Sequence, residues 1–463
     1  MKTKQLTSLG STEKKKLNFP TRRLARNLTI ALMCVSGFVG AQVVTTLAGS
    51  TAAGAANGTE ANASFNHPFG IATDSKGNIY VADADNNQIR EIEITTGIVT
   101  TLAGSKTAGN LNGKGTAASF YSPTGIVCDA NGNLFVTDEG NNEIRKIVIA
   151  TGVVTTLAGS GKPGATDGKG IAASFNLPYG IAIDETGDLY IADYGNNEIR
   201  KIVITTGAVS TIAGSTKYGC TNGTGKSATF YAPAGIVTDG AGNLYVTDAG
   251  NNEIRKIVIA SGKVSTVAGN TKYGSSDGIG SMASFNQPVG LVFDGTSNLY
   301  VSDNYNNEIR KIEIGTEQVS TMAGSLTAGS ADGVSTAAEF SYPTGIAIDA
   351  IGNLYVADYG NNEIRKISSL FTGVSNMNSI NSLTVYPNPA SQSIHLGFVP
   401  QDNASPVAVR IIDMSGKEIM NLKEIVSSEN TMTVDVSNLS RGMYFVQVVM
   451  NDNSTQVEKF VKQ

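Results

Sequence analysis

Aspartate, asparagine and arginine recur along this chain at a constant spacing of 55 residues, and such side chains serve catalysis in many enzymes. In the third copy, Asp184 and Asp193 end two apolar stretches, and Asn197 precedes Arg200 by three residues. A catalytic group is needed once, whereas these residues occur six times. We therefore interpret the repeated set as structural, with Asp and Asn capping turns and Asp pairing with Arg.

Unrepeated residues offer little further chemistry. Outside the first 41 residues the chain has two histidines, His67 and His395, so a histidine-based metal centre is excluded for the repeats. No Gly-x-Ser-x-Gly elbow with acid and histidine partners is visible, and Cys128 follows apolar residues typical of a core. The EF-hand-like start at Asp83 lacks the Gly and Glu that calcium binding needs. We predict no catalytic residue and no cofactor, with calcium as the alternative.

Each copy predicts four short antiparallel strands. In the third copy these are Ile181–Asp184, Leu189–Asp193 and Glu198–Ile204. Ala208–Ala213 is the fourth. Six copies indicate an all-β, six-bladed β-propeller, with a linear solenoid as the competing architecture. Val43–Ala48 is a fourth strand with no blade before it, and the last copy lacks its own. We therefore predict that this N-terminal outer strand closes the ring, which leaves no open sheet edge.

The repeats resemble a known family. Pro-x-Gly-Ile-Ala-x-Asp, Gly-Asn-Leu-Tyr-Val-Ala-Asp and Asn-x-Ile-Arg-Lys-Ile are similar to the NHL repeat over residues 42–368. The resemblance implies a six-bladed propeller and says little about activity, because one fold hosts many functions. Propeller lactonases carry calcium on the ring axis, which keeps a calcium-dependent lactonase or lyase as an alternative. Related amidating and streptogramin lyases rely on histidine, which the repeats largely lack.

Residues 1–41 have the pattern of a signal peptide. A basic region that includes Lys14–Lys16 precedes the apolar stretch Leu28–Gly40, and Val39-Gly40-Ala41 predicts cleavage before Gln42. The formal charge of the whole chain is −5. Since residues 1–41 hold eight Lys or Arg and one Glu, the remainder carries −12. This charge should repel nucleic acid and anionic membranes, and no transmembrane segment is predicted in the mature chain.

The composition changes after residue 368. Residues 369–381 form a polar linker, and residues 382–463 predict a small Ig-like β-sandwich. Its motifs resemble the type A sorting domain of the type IX secretion system. The matching residues include Tyr386, Pro387, Asn388, Pro389, Gly416, Gly442, Tyr444 and Lys459.

That resemblance implies a Bacteroidetes-type source and export through the periplasm and across the outer membrane. The type IX secretion machinery would be the partner of the tail. The protein would then be secreted or held on the outer cell surface.

One face of the propeller is the predicted interaction surface. In an antiparallel blade, the second-to-third turn and the long inter-blade segment emerge on the same face, called here the long-segment face. Residues that differ between copies there include exposed aromatics, which suit a carbohydrate or a peptide. The candidate ligand-binding residues are His67, Phe69, Tyr179, Tyr194, Tyr218, Tyr273, Gln287, Tyr305, Tyr342 and Tyr359.

Three functions remain open on these grounds. The first is a secreted or surface-attached propeller that binds a protein or carbohydrate. The second is the calcium-dependent lactonase or lyase, and the third is a structural extracellular spacer. Relaxed drift between duplicated loops is the competing explanation of the variable aromatics.

Overall fold

The structure, a computed structural model, describes residues 42–350, 352–369, 383–397, 406–413, 418–423, 431–450 and 455–463. The predicted signal peptide lies outside the described residues, as does the predicted linker apart from Ser369. No helix among the described residues has the length and apolar character that a bilayer crossing requires.

The six repeats form six antiparallel sheets of five strands, here called blades I to VI. The chain enters through β1 (Gln42–Gly49). Blade I has β2 (Gly58–Thr59), β3 (Pro68–Thr73), β4 (Ile79–Asp83), β5 (Gln88–Glu93) and β6 (Ile98–Ala103). Blade II has β7 (Gly113–Lys114), β8 (Pro123–Cys128), β9 (Asn133–Asp138), β10 (Glu143–Val148) and β11 (Val153–Ala158). Blade III has β12 (Gly168–Lys169), β13 (Pro178–Ile183), β14 (Leu189–Asp193), β15 (Glu198–Val203) and β16 (Ala208–Gly214).

The second half of the ring repeats the pattern. Blade IV has β17 (Gly223–Thr224), β18 (Pro233–Thr238), β19 (Asn243–Asp248), β20 (Glu253–Val258) and β21 (Lys263–Gly269). Blade V has β22 (Gly278–Ile279), β23 (Pro288–Phe293), β24 (Asn298–Asp303), β25 (Glu308–Glu313) and β26 (Gln318–Gly324). Blade VI has β27 (Gly333–Val334), β28 (Pro343–Ile348), β29 (Leu354–Asp358) and β30 (Glu363–Ser369), completed by β1.

Short 3₁₀ turns recur at two places in every blade. One precedes the inner strand, at Glu60–Asn62, Gly115–Ala117, Gly170–Ala172, Gly225–Ser227, Gly280–Met282 and Ser335–Ala337. The other joins the second and third strands, at Ala84–Asn86, Glu139–Asn141, Tyr194–Asn196, Ala249–Asn251, Asn304–Asn306 and Tyr359–Asn361.

The prediction of four strands per blade was one strand short. The long inter-blade segment contributes a two-residue strand that pairs with the outer edge of the blade it enters, as Gly168–Lys169 does with Ala208 and Val209. This strand is too short to carry an alternating pattern, so the sequence indicated only a turn. Such a short outer strand limits the edge that another chain can pair with.

Ring closure by the N-terminal strand is confirmed. β1 pairs with β30 on one side, where Val44 faces Ile367, and with β27 on the other, where Val44 faces Gly333. The Val44 side chain is fully buried. The predicted cleavage before Gln42 would leave this strand whole, since Gln42 is its first residue.

The repeated arginines form hydrogen bonds inside their own blades, which confirms the predicted pairing of Asp with Arg. Arg200 donates hydrogen bonds to Asp193 at 2.8 Å, to the carbonyl of Ser174 at 3.0 Å and to Asp167 at 2.8 Å. Its guanidinium lies 5.2 Å from the centre of the Phe175 ring. All six arginines are fully buried, and each is paired with the aspartate that ends its second strand.

Repeated asparagines connect one blade to the next. Asn197 accepts a hydrogen bond from the backbone N–H of Ala232 in the following blade at 2.8 Å. The last link crosses the closure point, where Asn362 accepts from His67 N–H at 2.9 Å. The repeated Phe side chains are fully buried in clusters that span two blades. Phe120, for example, packs in one cluster with Tyr80 of blade I and Leu134 of blade II.

The C-terminal residues form two antiparallel sheets around one core, which confirms the predicted sandwich. One sheet has β31 (Thr384–Tyr386), β32 (Ser393–Gly397) and β35 (Thr431–Asp435). The other has β33 (Pro406–Asp413), β34 (Glu418–Lys423), β36 (Gly442–Met450) and β37 (Thr455–Lys462). The core includes Ile394, Val409, Val446 and Phe460, all of them fully buried.

Candidate functional site

The ring axis is closed by apolar residues contributed by the six inner strands. A Cβ on Gly180 would collide with the carbonyl oxygen of Ala234, so only glycine allows the strands to come this close. The glycines at this level are Gly70, Gly125, Gly180, Gly235, Gly290 and Gly345, and each is followed by an Ile or Leu that lines the axis. The channel left between them encloses about 90 Å³.

Calcium would need oxygen ligands on the axis. The side chains that line the channel in the described part of the chain are mainly aliphatic, and no carboxylate is among them. The described residues also contain no group of three or more His, Cys, Asp or Glu that is arranged to hold a metal. The residues on the axis therefore do not fit an axial calcium ion.

The side chains at the mouth of the channel are positioned by an unusual backbone. His67, Leu177 and Gln287 each have a positive φ, as do the equivalent residues of the other three blades. Non-glycine residues rarely adopt this conformation. Here the backbone N–H of each of these three residues donates a hydrogen bond to the side chain of the repeated asparagine in the preceding blade. Because the backbone is fixed by invariant partners, the side chains at these positions are free to differ between blades.

A row of five rings crosses the mouth of the channel. Tyr194 stacks on Tyr179 at 4.6 Å, and Tyr179 meets Phe69 edge-on at 5.0 Å. Phe69 meets Tyr359 at 6.1 Å, and Tyr359 stacks on His67 at 4.4 Å. These residues come from blades III, I and VI, so blade II is on one side of the row and blades IV and V are on the other. The row therefore divides the mouth into two unequal parts.

The larger part is a concave site that we call the aromatic cup. It encloses about 420 Å³ and is lined by Phe69, Tyr179, Tyr194, Ala234, Ala249, Gln287, Val289, Asn304, Tyr305, Tyr342, Thr344 and Tyr359. Tyr305 and Tyr342 contact each other edge-on at 5.4 Å. The lining contains five tyrosines and two primary amides but no charged side chain, so the cup suits a neutral ligand with both apolar faces and hydrogen-bonding groups.

Most of the predicted ligand-binding residues come together in this cup. Seven of the ten line it, namely Phe69, Tyr179, Tyr194, Gln287, Tyr305, Tyr342 and Tyr359. His67 lies beside it, stacked on Tyr359 and paired with Asp85 at 2.6 Å. Tyr218 and Tyr273 are outside the cup, at 75% and 80% exposure. Their role as ligand-binding residues stays a prediction.

Sequence reasoning missed Asn304 as a cup residue. Counted by the 55-residue period, Asn304 is equivalent to Tyr194 and Tyr359, whereas Tyr305 occupies the following position. Asn304 is buried and donates to the carbonyl of Pro343 at 3.0 Å, which fixes its amide in the wall of the cup. A strict alignment of the six copies would have identified it.

The smaller part of the mouth contains Glu139 of blade II. Burial raises the pKa of this carboxyl to about 7, and a hydrogen bond from Ser122 partly opposes the rise. Glu139 also acts on Tyr179, whose pKa is raised first by burial and then by this carboxyl. The sequence did not indicate Glu139 as a site residue, because its burial depends on how the blades assemble.

Glu139→Gln is expected to change how stability depends on pH. The folded protein keeps the Glu139 proton up to about pH 7, whereas the unfolded chain loses it near the ordinary value of 4.5. The native state therefore binds more protons than the unfolded state between these values, and this carboxyl makes stability fall as pH rises through the window. The variant should gain on the order of 2 kcal/mol over the wild type between pH 4.5 and pH 8.

The measurement is urea unfolding of both proteins at several pH values. Glu185→Gln, which removes an exposed carboxylate, is the control. A difference between Glu139→Gln and wild type that stays constant with pH would contradict the expected role of burial.

The sorting-motif residues tie the start of the tail to its end. Asn388 accepts a hydrogen bond from Val461 N–H at 2.9 Å, and Ala390 N–H donates to the Val461 carbonyl at 2.7 Å. Tyr444 donates to the carbonyl of Ser440 at 3.0 Å.

The other described residues of the motif lie at the surface or in the strands of the tail. Tyr386 is 50% exposed, and Pro387 and Pro389 follow it at the surface. Gly442 begins β36, and Lys459 of β37 pairs with Phe445 of β36. Gly416 lies outside the described residues.

Two family matches agree with this architecture. Residues 65–92, 120–147, 175–202 and 340–367 match the NHL repeat. Residues 384–463 match the secretion system C-terminal sorting domain. The two unmatched repeats, blades IV and V, have the same five strands as the others.

Similar proteins share part of the chain. Protein SUPPRESSOR OF QUENCHING 1, chloroplastic, of Arabidopsis thaliana is 28% identical over 316 residues, 65% of this chain and 30% of that protein. NHL repeat-containing protein 2 of Gallus gallus is 27% identical over 346 residues, 67% of this chain and 47% of that protein. The chain thus spans less than half the length of these curated relatives.

A solved structure, an auxiliary nutrient binding protein of Bacteroides thetaiotaomicron, has a TM-score of 0.55 and 18% identity over 71% of this chain and 76% of its own. At this identity the likeness shows the fold alone. The matched repeats, the closed six-bladed ring and the matched tail together identify the chain as an NHL-repeat β-propeller with a C-terminal sorting domain for type IX secretion to the cell surface or extracellular space.

Proposed function

We propose that this protein is a non-enzymatic binding protein of the cell exterior whose aromatic cup holds a carbohydrate. The observation that carries the proposal is the uncharged lining of the cup, which combines tyrosine rings with the amides of Gln287 and Asn304. A pyranose ring has apolar C–H faces that pack on aromatic rings, and its hydroxyl groups exchange hydrogen bonds with amides and phenols.

The distribution of the cup residues supports the same proposal. The repeated polar residues of the blades are occupied in the arginine and asparagine networks, which hold the scaffold rigid. The cup consists largely of the few positions at which the six copies differ. Rigid elements that carry a variable surface are a common arrangement for binding sites.

The other two functions have less support. A lactonase or lyase of the calcium type would need oxygen ligands on the axis, where the inner strands instead supply Ile71, Ile126 and their equivalents. A purely structural spacer would not need a concave site of uncharged rings and amides. The type IX machinery is the partner of the tail, and the carbohydrate would be the partner of the propeller.

Tyr305→Ala is expected to weaken carbohydrate binding about tenfold or more. Tyr305 is 52% exposed and lines the cup, so its loss removes a stacking surface without disturbing the core. The measurement is a glycan array probed with the purified protein, followed by calorimetry on each retained saccharide.

Tyr121→Ala is the matched control. Tyr121 is 50% exposed and lies against Gly140 outside the cup, so its removal should leave affinity unchanged. Equal losses in the two variants would contradict the cup as the binding site. Retention of no saccharide on the array would overturn the choice of carbohydrate as the ligand.

A further inference from the structure

The wall of the aromatic cup is low on one side. Blade IV alone has alanine at all three variable positions of the mouth, Ala232, Ala234 and Ala249, whereas every other blade has at least one larger side chain. Ala234 and Ala249 line the cup. A ligand longer than the cup would therefore meet the least obstruction over blade IV.

An exposed pair of rings stands beyond this low side. The Tyr231 ring lies against Gly250, so closely that a Cβ added to this glycine would be 2.5 Å from the ring. Gly250 directly follows the cup residue Ala249 in the chain. The Tyr218 ring is 5.3 Å from the Tyr231 ring, and the two residues are 75% and 47% exposed respectively.

The chain itself connects this pair to the cup, because Gly250, which the Tyr231 ring touches, directly follows the cup residue Ala249. Burial raises the pKa of Tyr194, a cup residue, and Tyr231, Glu139 and Tyr305 add to the rise. The outer pair therefore lies beside the part of the cup that Ala249 lines.

Blade IV is the only blade that has both outer rings. Blade II has Tyr121 against Gly140, but Ala108 occupies the position of Tyr218. Blade V has Tyr273, but Asn286 occupies the position of Tyr231. The outer pair and the low wall therefore coincide on one blade of six.

We propose that the ligand is a linear oligosaccharide that extends from the aromatic cup over blade IV and places a further sugar ring on the Tyr218–Tyr231 pair. This proposal rests on the proposed function, because it extends the same carbohydrate site. Its occupant is a chain long enough to cover both places, since the cup and the outer pair are separated by the turn at Ala249–Asn251.

The test is a length series of linear β-1,4-linked oligosaccharides of glucose, mannose and N-acetylglucosamine, from disaccharide to hexasaccharide, measured by calorimetry on the full mature protein. For a sugar that binds, the hexasaccharide should bind wild type roughly three- to tenfold more tightly than the trisaccharide. Tyr218→Ala should abolish this gain and leave trisaccharide affinity unchanged, whereas Tyr305→Ala should weaken both.

Tyr121→Ala is the matched control, because Tyr121 has the place of Tyr231 in blade II and is 50% exposed but has no partner ring at the position of Tyr218. It should keep the gain with length.

A hexasaccharide gain that survives Tyr218→Ala overturns this inference and leaves the cup assignment intact. Binding of branched glycans alone on the array also overturns it. If no saccharide is retained on the array, both this inference and the proposed function are wrong.

Discussion

Val44→Asp is expected to lower the free energy of unfolding by about 4 kcal/mol or more. Val44 is fully buried in a cluster with Ile309 of blade V and Ile367 of blade VI. A carboxylate at this place would be buried among apolar side chains, in the strand that closes the ring. The loss should be read from urea unfolding followed by tyrosine fluorescence, since the chain has no tryptophan.

Thr45→Asp is the control for this variant. Thr45 is exposed on the same strand, so the same charge there should cost little. A protein that begins at residue 50 completes the test: without β1, the edge of β30 is open, and self-association should increase with concentration. Similar stabilities for Val44→Asp and Thr45→Asp would show that closure by β1 contributes little.

Arg200→Ala is expected to destabilise the protein by about 3–5 kcal/mol, because it leaves Asp193 as an uncompensated buried charge. The same change also removes donors from the Ser174 carbonyl and from Asp167. Chemical denaturation at pH 7 measures the loss. Arg310→Ala in blade V should cost a similar amount, because its partners Asp303 and Asp277 repeat the arrangement.

Lys201→Ala is the appropriate control for the arginine variants. Lys201 pairs with Asp188 at 2.7 Å, but both side chains are partly exposed, so the pair should contribute less than about 1 kcal/mol. If Arg200→Ala costs no more than Lys201→Ala, the buried network is not what stabilises the blade.

Much of the scaffold follows from the period of the sequence. A strand of five or six residues with apolar side chains on one or both faces has a recognisable pattern, and six in-phase copies remove most of the ambiguity of a single one. Invariance also assigned Asp193 and Arg200 to architecture, and the buried ion pair agrees with that assignment. The two-residue outer strands were not predicted, because two residues are too few to show the alternation of apolar and polar side chains that marks a strand.

The candidate site was predictable in part. Variation between copies pointed to Tyr179, Tyr305 and Tyr359, which do meet in the aromatic cup. It did not show that Phe69 reaches across the axis to Tyr179, since these residues belong to blades that are not neighbours. It also could not pair Tyr218 with Tyr231, because that contact depends on how the long segment folds back on its own blade.

The sequence by itself determined the number of blades, the phase that makes β1 the closing strand, and the identity of the tail. The first two follow from the 55-residue repeat, and the third follows from short motifs in the tail. Only the tertiary structure decided which unlike side chains share a surface. Closing the ring brings residues from six copies to one mouth, and the distance between two of them then depends on blade geometry and side-chain size. Burial of Glu139, the aliphatic axis and the low wall at blade IV all arise in this way.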